Sequence, residues 1–382
     1  MRVVLARALG ALASLRLACV LLILLGILTW LGTLEQVEHG LFEVQRKYFE
    51  SFVLVHRFGP VPVPLPGANL VLSLLAVNLV VGGIVRIRKR IATAGVIVAH
   101  AGILVLLASA FVKHRFSDDG HVTLFEGQKA DTFQSYHLWE IAVLEDLGGG
   151  RAQEHRIRHD RLEAAREGTA RFAMPGVPFE LEVSRLLRNC APRSGAVDSQ
   201  AEAVDGIALA ELPPRTEEET NIAGASVVVD DGRSRRRALL WGAEAKPLVV
   251  AAAGRTFAIT LRREQYPMPF SIVLDRFAKE DHPRIDLPKS FASDVTVVED
   301  GASRPVRISM NAPLREKGLV LYQASWGPAG AAPGTKLFST LAVVRNPADR
   351  MPLAGCIVIA LGLVGHFSRK LFRYVRAEGG AA

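Results

Sequence analysis

The chain has 382 residues, 49% hydrophobic and 22% charged, with a mean hydropathy of +0.23. Disordered chains are too polar to match this balance and ordinary soluble enzymes seldom have positive mean hydropathy, so the composition describes a chain that is part membrane and part water-exposed. The net charge of +8 raises nucleic acid as a partner, a reading that the placement of the charges removes below, and the three cysteines (Cys19, Cys190, Cys356) stand at no metal-ligand or redox spacing, which excludes disulfide scaffolds, Cys-rich zinc sites and thioredoxin-type chemistry.

In chain order, four apolar stretches approach the roughly 20 residues that cross a bilayer as helix. They run about Leu17–Leu34, Ala68–Val85, Ile91–Val112 and Pro352–Phe367. The first is longer than the apolar region of a secretory signal and lacks a small-residue cleavage site before Glu35, so a retained helix is expected. Basic residues flank the spans at Arg2, Arg7 and Arg16, at Arg86-Ile87-Arg88-Lys89-Arg90, and at Arg369, Lys370, Arg373 and Arg376. With four spans all three clusters fall on one face, and positive residues mark the cytoplasmic side. Both termini are therefore expected inside, with 35–66 and 113–351 outside. Orientation in a membrane accounts for much of the basic excess, and no nucleic acid is expected as a partner.

Within 35–66, Leu41, Val44, Tyr48, Phe52 and Val55 recur at helical spacing between charged residues, which predicts an amphipathic helix at the membrane surface. The run Pro60-Val61-Pro62-Val63-Pro64-Leu65-Pro66 then forces an extended lead into the second span. The segment 113–351 reads as mostly strand, at 121–125, 179–183, 256–261, 270–274, 293–298 and 318–323, with Asp231-Gly232 and Asp300-Gly301 as hairpin turns. A stretch rich in Pro, Ser, Ala and Glu over about 191–224 predicts a flexible insertion between two β lobes. The fold class is thus four transmembrane α-helices with a large extracytoplasmic β-rich domain between helices 3 and 4. Its parts are a membrane domain over 1–112, a β-rich domain over 113–351, and a fourth helix with a basic tail over 352–382.

His100 is the candidate functional residue. It lies about nine residues into span three, roughly 13 Å deep at 1.5 Å per residue, where an ionisable side chain is costly without a partner. Gly95, Ala99 and Gly102 form a strip of small residues beside it that suits close approach of another helix. One reading is haem or metal ligation or proton relay; the other is a neutral histidine hydrogen-bonded to Ser73 or Asn78 on span two. The only other histidine within a span, His366, sits on the order of 10 Å away in depth, too far to share one iron with His100, so a second ligand would come from another chain. His155 and His159, i and i+4 on a helix expected over QEHRIRHDRLEAAREG, make half a zinc site at most and read better as an exposed face. No phosphate loop, zinc-protease motif or nucleophile elbow is present.

Ordered along the chain stand Ser14-Leu15-Arg16-Leu17, Gly32-Thr33-Leu34, Tyr48-Phe49, His100-Ala101-Gly102 and Glu126-Gly127. Near the end come Ile308-Ser309-Met310-Asn311-Ala312-Pro313-Leu314, Gly318 with Leu321-Tyr322-Gln323-Ala324-Ser325, and Asn346-Pro347. In these motifs and their order the chain resembles ResB, a family of system II cytochrome c biogenesis. The resemblance implies a haem-handling, non-catalytic subunit of a cytochrome c haem lyase (synthase) complex in the inner (plasma) membrane. It implies haem b held non-covalently, with His100 as an axial ligand shared with a histidine of a ResC (CcsA)-type partner. It further implies apocytochrome c as client, with thiol-reducing proteins among the partners, and gives no catalytic residue and no metal beyond the haem iron. The Asn311–Ser325 stretch is expected to pack the β domain more than to touch a partner. The alternative is a haem-free membrane-tethered scaffold whose outside β domain binds a partner protein.

Overall fold

A computed structural model describes residues 9–195, 203–283, 288–328 and 335–379. The chain divides into two compact units, Met1–Ser117 with Asn346–Ala382, and Asp118–Arg345.

The first unit is built on helices. Helix α1 spans Leu15–Val44 and is capped by Ser14, whose hydroxyl accepts from the Leu17 N–H at 3.1 Å. It runs on past Leu34, breaks at Gly40 (φ 77°, ψ 163°) and continues as a wider π-helical turn over Gln45–Phe49. That backbone conformation suits glycine, which lacks the Cβ that penalises positive φ. The break folds the chain back, so that Val44, Tyr48 and Phe49 meet Gly32, where an added Cβ would lie 3.3 Å from Val44 Cγ1. Tyr48 is fully buried in a core with Leu21, Leu28, Leu31 and Val71. Of the face expected on the membrane surface, Val44 and Tyr48 are thus covered by span one itself, while Leu41, Phe52 and Val55 stay exposed.

The expected helix does not reach Phe52 and Val55. Strands β1 (Val53–Phe58) and β2 (Val61–Pro66) form an antiparallel hairpin pairing Val53, Val55 and Arg57 with Pro66, Pro64 and Pro62. Prolines at every second position turn their donor-less nitrogens to one side of the strand, which a two-stranded sheet leaves unpaired. Helix α2 covers Ala68–Asn78 and widens into a π-helical stretch over Leu79–Val85. Helix α3 spans Ala94–Phe116 and, at the C-terminal end of the chain, α4 spans Met351–Gly379. All four helices are long and apolar enough to cross a membrane; three precede the β-rich unit in sequence and one follows it.

The expected strip of small residues does bring a helix close. An added Cβ at Gly102 would lie 2.8 Å from the Gly355 carbonyl oxygen, and one at Gly362 would lie 2.6 Å from that of Gly95 and 2.5 Å from the Ala99 nitrogen. Backbone therefore meets backbone along the α3–α4 contact, the arrangement small residues permit in an apolar solvent. This packing turns His100 toward α2 instead.

The second unit is antiparallel β throughout. Its larger sheet is built on β3 (Asp118–Phe125), β4 (Lys129–Gly148), β13 (Arg255–Asp281), β14 (Pro288–Glu299), β15 (Ala302–Ser309), β16 (Leu314–Glu316), β17 (Leu319–Gly327) and β18 (Phe338–Arg345). They run in the order β15-β14-β13-β4-β3-β18-β17-β16, while β5 (Arg151–Ile157) and β12 (Leu248–Ala252) add to β4 and β13. A smaller sheet has the order β11-β10-β7-β6, from Arg235–Trp241, Gly224–Asp230, Glu180–Leu187 and Thr169–Ala173. β8 (Cys190–Ser194) and β9 (Ile207–Glu211) form a separate hairpin.

Alternation of apolar residues gives two cores. Ile141, Val143, Leu181, Val227, Phe257 and Ile259 fill one; Phe133, Ile272, Val295, Ile308, Leu321 and Val343 fill the other. β4 and β13 run through both, and the change of lobe falls at their register shifts, between Arg263/Gln265 and Pro267/Ile272. The expected turns form. Asp300 and Gly301 both have positive φ (47° and 81°), as a two-residue hairpin loop requires, and the Asp231 carboxylate accepts from the N–H groups of Arg233 and Ser234. The insertion expected over 191–224 does not separate the lobes. Its described part is the β8–β9 hairpin and a segment anchored by Glu218, which pairs with Arg188 and accepts from Asn221 Nδ2 at 2.8 Å. Residues 196–202 of that insertion lie outside the described residues.

Candidate functional site

His100 is the seventh of the 23 residues of α3 and its Nδ1 atom is buried with no hydrogen-bond partner. Neither expected neighbour satisfies it. The Asn78 amide donates instead to the carbonyls of Leu12 and Ser14, at 2.6 and 3.0 Å, tying span two to the start of span one. Ser73 lines a different cavity. An added Cβ at Gly83 would come within 3.1 Å of the His100 ring carbons and 3.3 Å of Nε2. Glycine at 83 therefore lets α2 pack directly against the His100 ring.

The imidazole opens on a cavity of about 390 Å³ walled by apolar residues of α1, α2 and α3, among them Ala18, Leu22, Leu79, Ile103 and Leu107. That volume is within the range of small-molecule and cofactor pockets. Among the described lining residues His100 is the one imidazole, and no Cys, Met or carboxylate joins it. No group of three or more His, Cys, Asp or Glu is placed to hold a metal among the described residues. A single imidazole with an apolar wall suits one axial bond to a flat, largely apolar macrocycle, and does not suit a cage for a bare ion.

His366 is not brought to this site. It packs beside Gly95, whose added Cβ would lie 3.0 Å from the His366 Cβ, five residues and so about 7.5 Å along α3 from His100. The His155–His159 pair does not share a helix face. His155 stands in β5 opposite Val143, and His159 begins a single helical turn, with Nε2 3.2 Å from Glu163 Oε1. Pairing of 151–157 with β4 overrides the helical appearance of that charged segment.

Two sequence motifs that looked separate come together. Gly32 of the first touches Tyr48 and Phe49 of the second, and the Tyr48 hydroxyl donates to Glu35 Oε2 at 2.5 Å while meeting His56 Nδ1. Lys47 Nζ reaches the other Glu35 oxygen at 2.5 Å. The sequence reads Tyr48 as part of an apolar face and of a motif; its role in satisfying Glu35 carries no local signal, because the partner lies beyond the Gly40 break. The late motif packs the sheet, as expected. Ile308, Leu314 and Leu321 are buried, and the Ser293 hydroxyl donates to Gln323 Oε1 at 2.6 Å. Met310 and Tyr322 point outward, the former 53% exposed.

A second polar cluster lies in the β unit. His121 stacks on Tyr136 with ring centroids 4.8 Å apart and bonds Gln134 through Nε2 at 2.9 Å, and the Arg263 guanidinium sits 4.2 Å over the Trp139 ring. Burial, and after it the charge of Arg263, holds the His121 pKa below the usual imidazole value; burial also lowers that of His137. The unfolded chain consequently takes up these protons first as pH falls. The β unit is expected to lose stability as pH drops below about 6.5, by at most about 1.4 kcal/mol per pH unit for each histidine, and to level off below the folded-state values. Urea unfolding followed by tryptophan fluorescence from pH 8 to 5 checks this, and His121→Gln should flatten the slope.

Four apolar helices joined to a two-core antiparallel β unit define the chain as a membrane protein with a large extramembranous β domain. Residues 206–337, about a third of the chain, match the model of the ResB-like family. The matched stretch lies in the β unit and contains the Asn311–Ser325 motif, while His100 lies outside it. No curated protein matches the chain.

Proposed function

We propose that this chain is the haem-handling subunit of a system II cytochrome c synthase complex. In this reading His100 supplies one axial ligand to haem b, and a histidine of a ResC (CcsA)-type partner supplies the other. The observation that carries it is the buried His100 imidazole, with an unpartnered Nδ1 and an apolar cavity beside it, in a chain whose residues 206–337 match the ResB-like family. A ring left in this state is costly in hydrocarbon unless a ligand compensates it. When bound, the haem supplies the vinyl groups and the redox-active iron for thioether attachment; the protein supplies position. Gly83 lets α2 pack against the ring, Ala18 and Leu22 offer an apolar wall, and the α3–α4 packing holds the helix that carries His100.

In this reading, which the basic flanks support, both termini are cytoplasmic and the β unit is outside, where it would meet apocytochrome c and thiol-reducing proteins. The chain then acts as an accessory, non-catalytic subunit in the inner (plasma) membrane.

The test is the haem spectrum of the chain purified with its partner. His100→Gly should remove most of the Soret absorbance, and added imidazole should restore it by entering the space the side chain leaves. Unchanged haem content with normal cytochrome c maturation would overturn the role of His100 and favour the haem-free scaffold.

A further inference from the structure

A larger cavity, about 910 Å³, lies in the same helical unit between α1, α2 and α3. Leu107 separates it from the His100 cavity, for that side chain lines both. Its α3 wall carries Leu104, Leu107, Ala108, Phe111 and His114, at the spacings of three and four that share a helix face. From Leu104 to His114 this wall runs about 15 Å at 1.5 Å per residue, half of a hydrocarbon core of roughly 30 Å.

One end is polar and built. His114 Nδ1 lies 3.5 Å from Glu50 Oε1, and the Glu50 carbonyl accepts from the Asn69 amide at 2.8 Å. Gln36, Gln45 and Ser73 also line the cavity. His114 is two residues before the end of α3 and Glu50 follows the last π-helical residue of the α1 extension, so this pair lies at helix ends and the apolar α3 wall runs inward from it.

Charge selects the occupant. Among the described lining residues the cavity offers a carboxylate paired to an imidazole, and no lysine or arginine. The two propionates of a haem, or the phosphate of a lipid, would sit beside Glu50 with no fixed cation in the lining to offset them. A neutral ring with hydrogen-bonding oxygens has the opposite fit. Its carbonyls accept from an imidazole or amide N–H, its hydroxyls donate to a carboxylate, and an apolar chain fills the inner part.

We propose that this cavity is a binding site for a lipid-soluble quinone or quinol, with the head group at His114 and Glu50 and the isoprenoid chain against Leu104, Leu107 and Phe111. The inference is independent of the haem reading, since the site shares no polar residue with His100.

The full-length chain in phosphatidylcholine nanodiscs, titrated with decylubiquinone and with menaquinone-4, tests it through quenching of tryptophan fluorescence. Saturable binding of at least one is expected. Ala108→Phe, which fills the cavity, should weaken it at least tenfold, and Glu50→Gln several-fold. Where Ala108→Phe fails to fold by circular dichroism, His114→Leu takes its place with the same tenfold expectation. The proposal is overturned by an absence of saturable binding, by binding that these variants leave unchanged, or by mass spectrometry finding a stoichiometric phospholipid that the cavity-filling variant expels. A haem spectrum that depends on His114 would overturn it also.

Discussion

Gly83→Leu is expected to strip the partner complex of haem as thoroughly as His100→Gly, to below a tenth of the wild-type Soret absorbance, with one difference: imidazole restores none of it. The reason is geometric. A Cβ at residue 83 already stands 3.1 Å from the His100 ring, inside the usual contact distance, and a branched side chain extends it into the space beside Nε2. Cavities of this kind do not widen to order, because helix interiors are close-packed and move as discrete units. Removing the imidazole leaves a hole that free imidazole fills; filling the hole from the facing helix leaves nowhere for it to go. Gly83→Ala should fall between the two, since a few tenths of an ångström of movement accommodates one methyl group. Retention of full haem content by Gly83→Leu would mean that the ring is not used as a ligand from this side, and the assignment of His100 would go with it.

The small-residue strip beside His100 was legible in the sequence because it follows from counting residues along an apolar helix. The identity of the helix that the strip meets, α4, was not, for it lies some 250 residues further along the chain. The helix of span one runs on past Leu34, although Glu35 looks like the first residue in water. In the fold Glu35 remains helical, satisfied by Lys47 and Tyr48 from beyond a break at a single glycine. Turns written in glycine and aspartate at Asp300-Gly301 were readable, since the left-handed backbone there is a local requirement. The 151–157 segment misled for the opposite reason. Its residues favour helix, but their pairing with β4 decides, with Ile157 buried against the core and charged neighbours along an edge strand. The cavity at His114 left no sequence signal beyond a second histidine fourteen residues from the first, nearly in line with it on the helix.

The β unit holds the other large effect. Arg262→Leu is expected to destabilise that unit by about 3 kcal/mol, as breaking a buried ion pair from one side does. Glu140 is completely buried in β4, directly opposite Arg262 in β13, and Oε1 accepts from the guanidinium Nε and an Nη atom at 3.0 and 2.9 Å. Oε2 has no hydrogen-bond partner, and the nearest other cation, Arg156, stands 3.8 Å away. Burial already raises the Glu140 pKa above the ordinary carboxylate value, against the pull of Arg262. Without that guanidinium the folded-state value rises further while the unfolded value stays near 4.5. The folded variant then holds a proton that the unfolded chain releases, so the deficit is small below about pH 4.5 and grows as pH rises through the folded-state value. Replacing both partners, Arg262→Leu with Glu140→Leu, removes the charge along with its counter-ion and should recover stability to within about 1 kcal/mol of wild type. Urea unfolding at pH 4.5 and pH 8, followed by tryptophan fluorescence, separates these cases. A deficit independent of pH, or a double variant no better than the single one, would show that Arg262 acts through packing along β13 and not through the buried carboxylate.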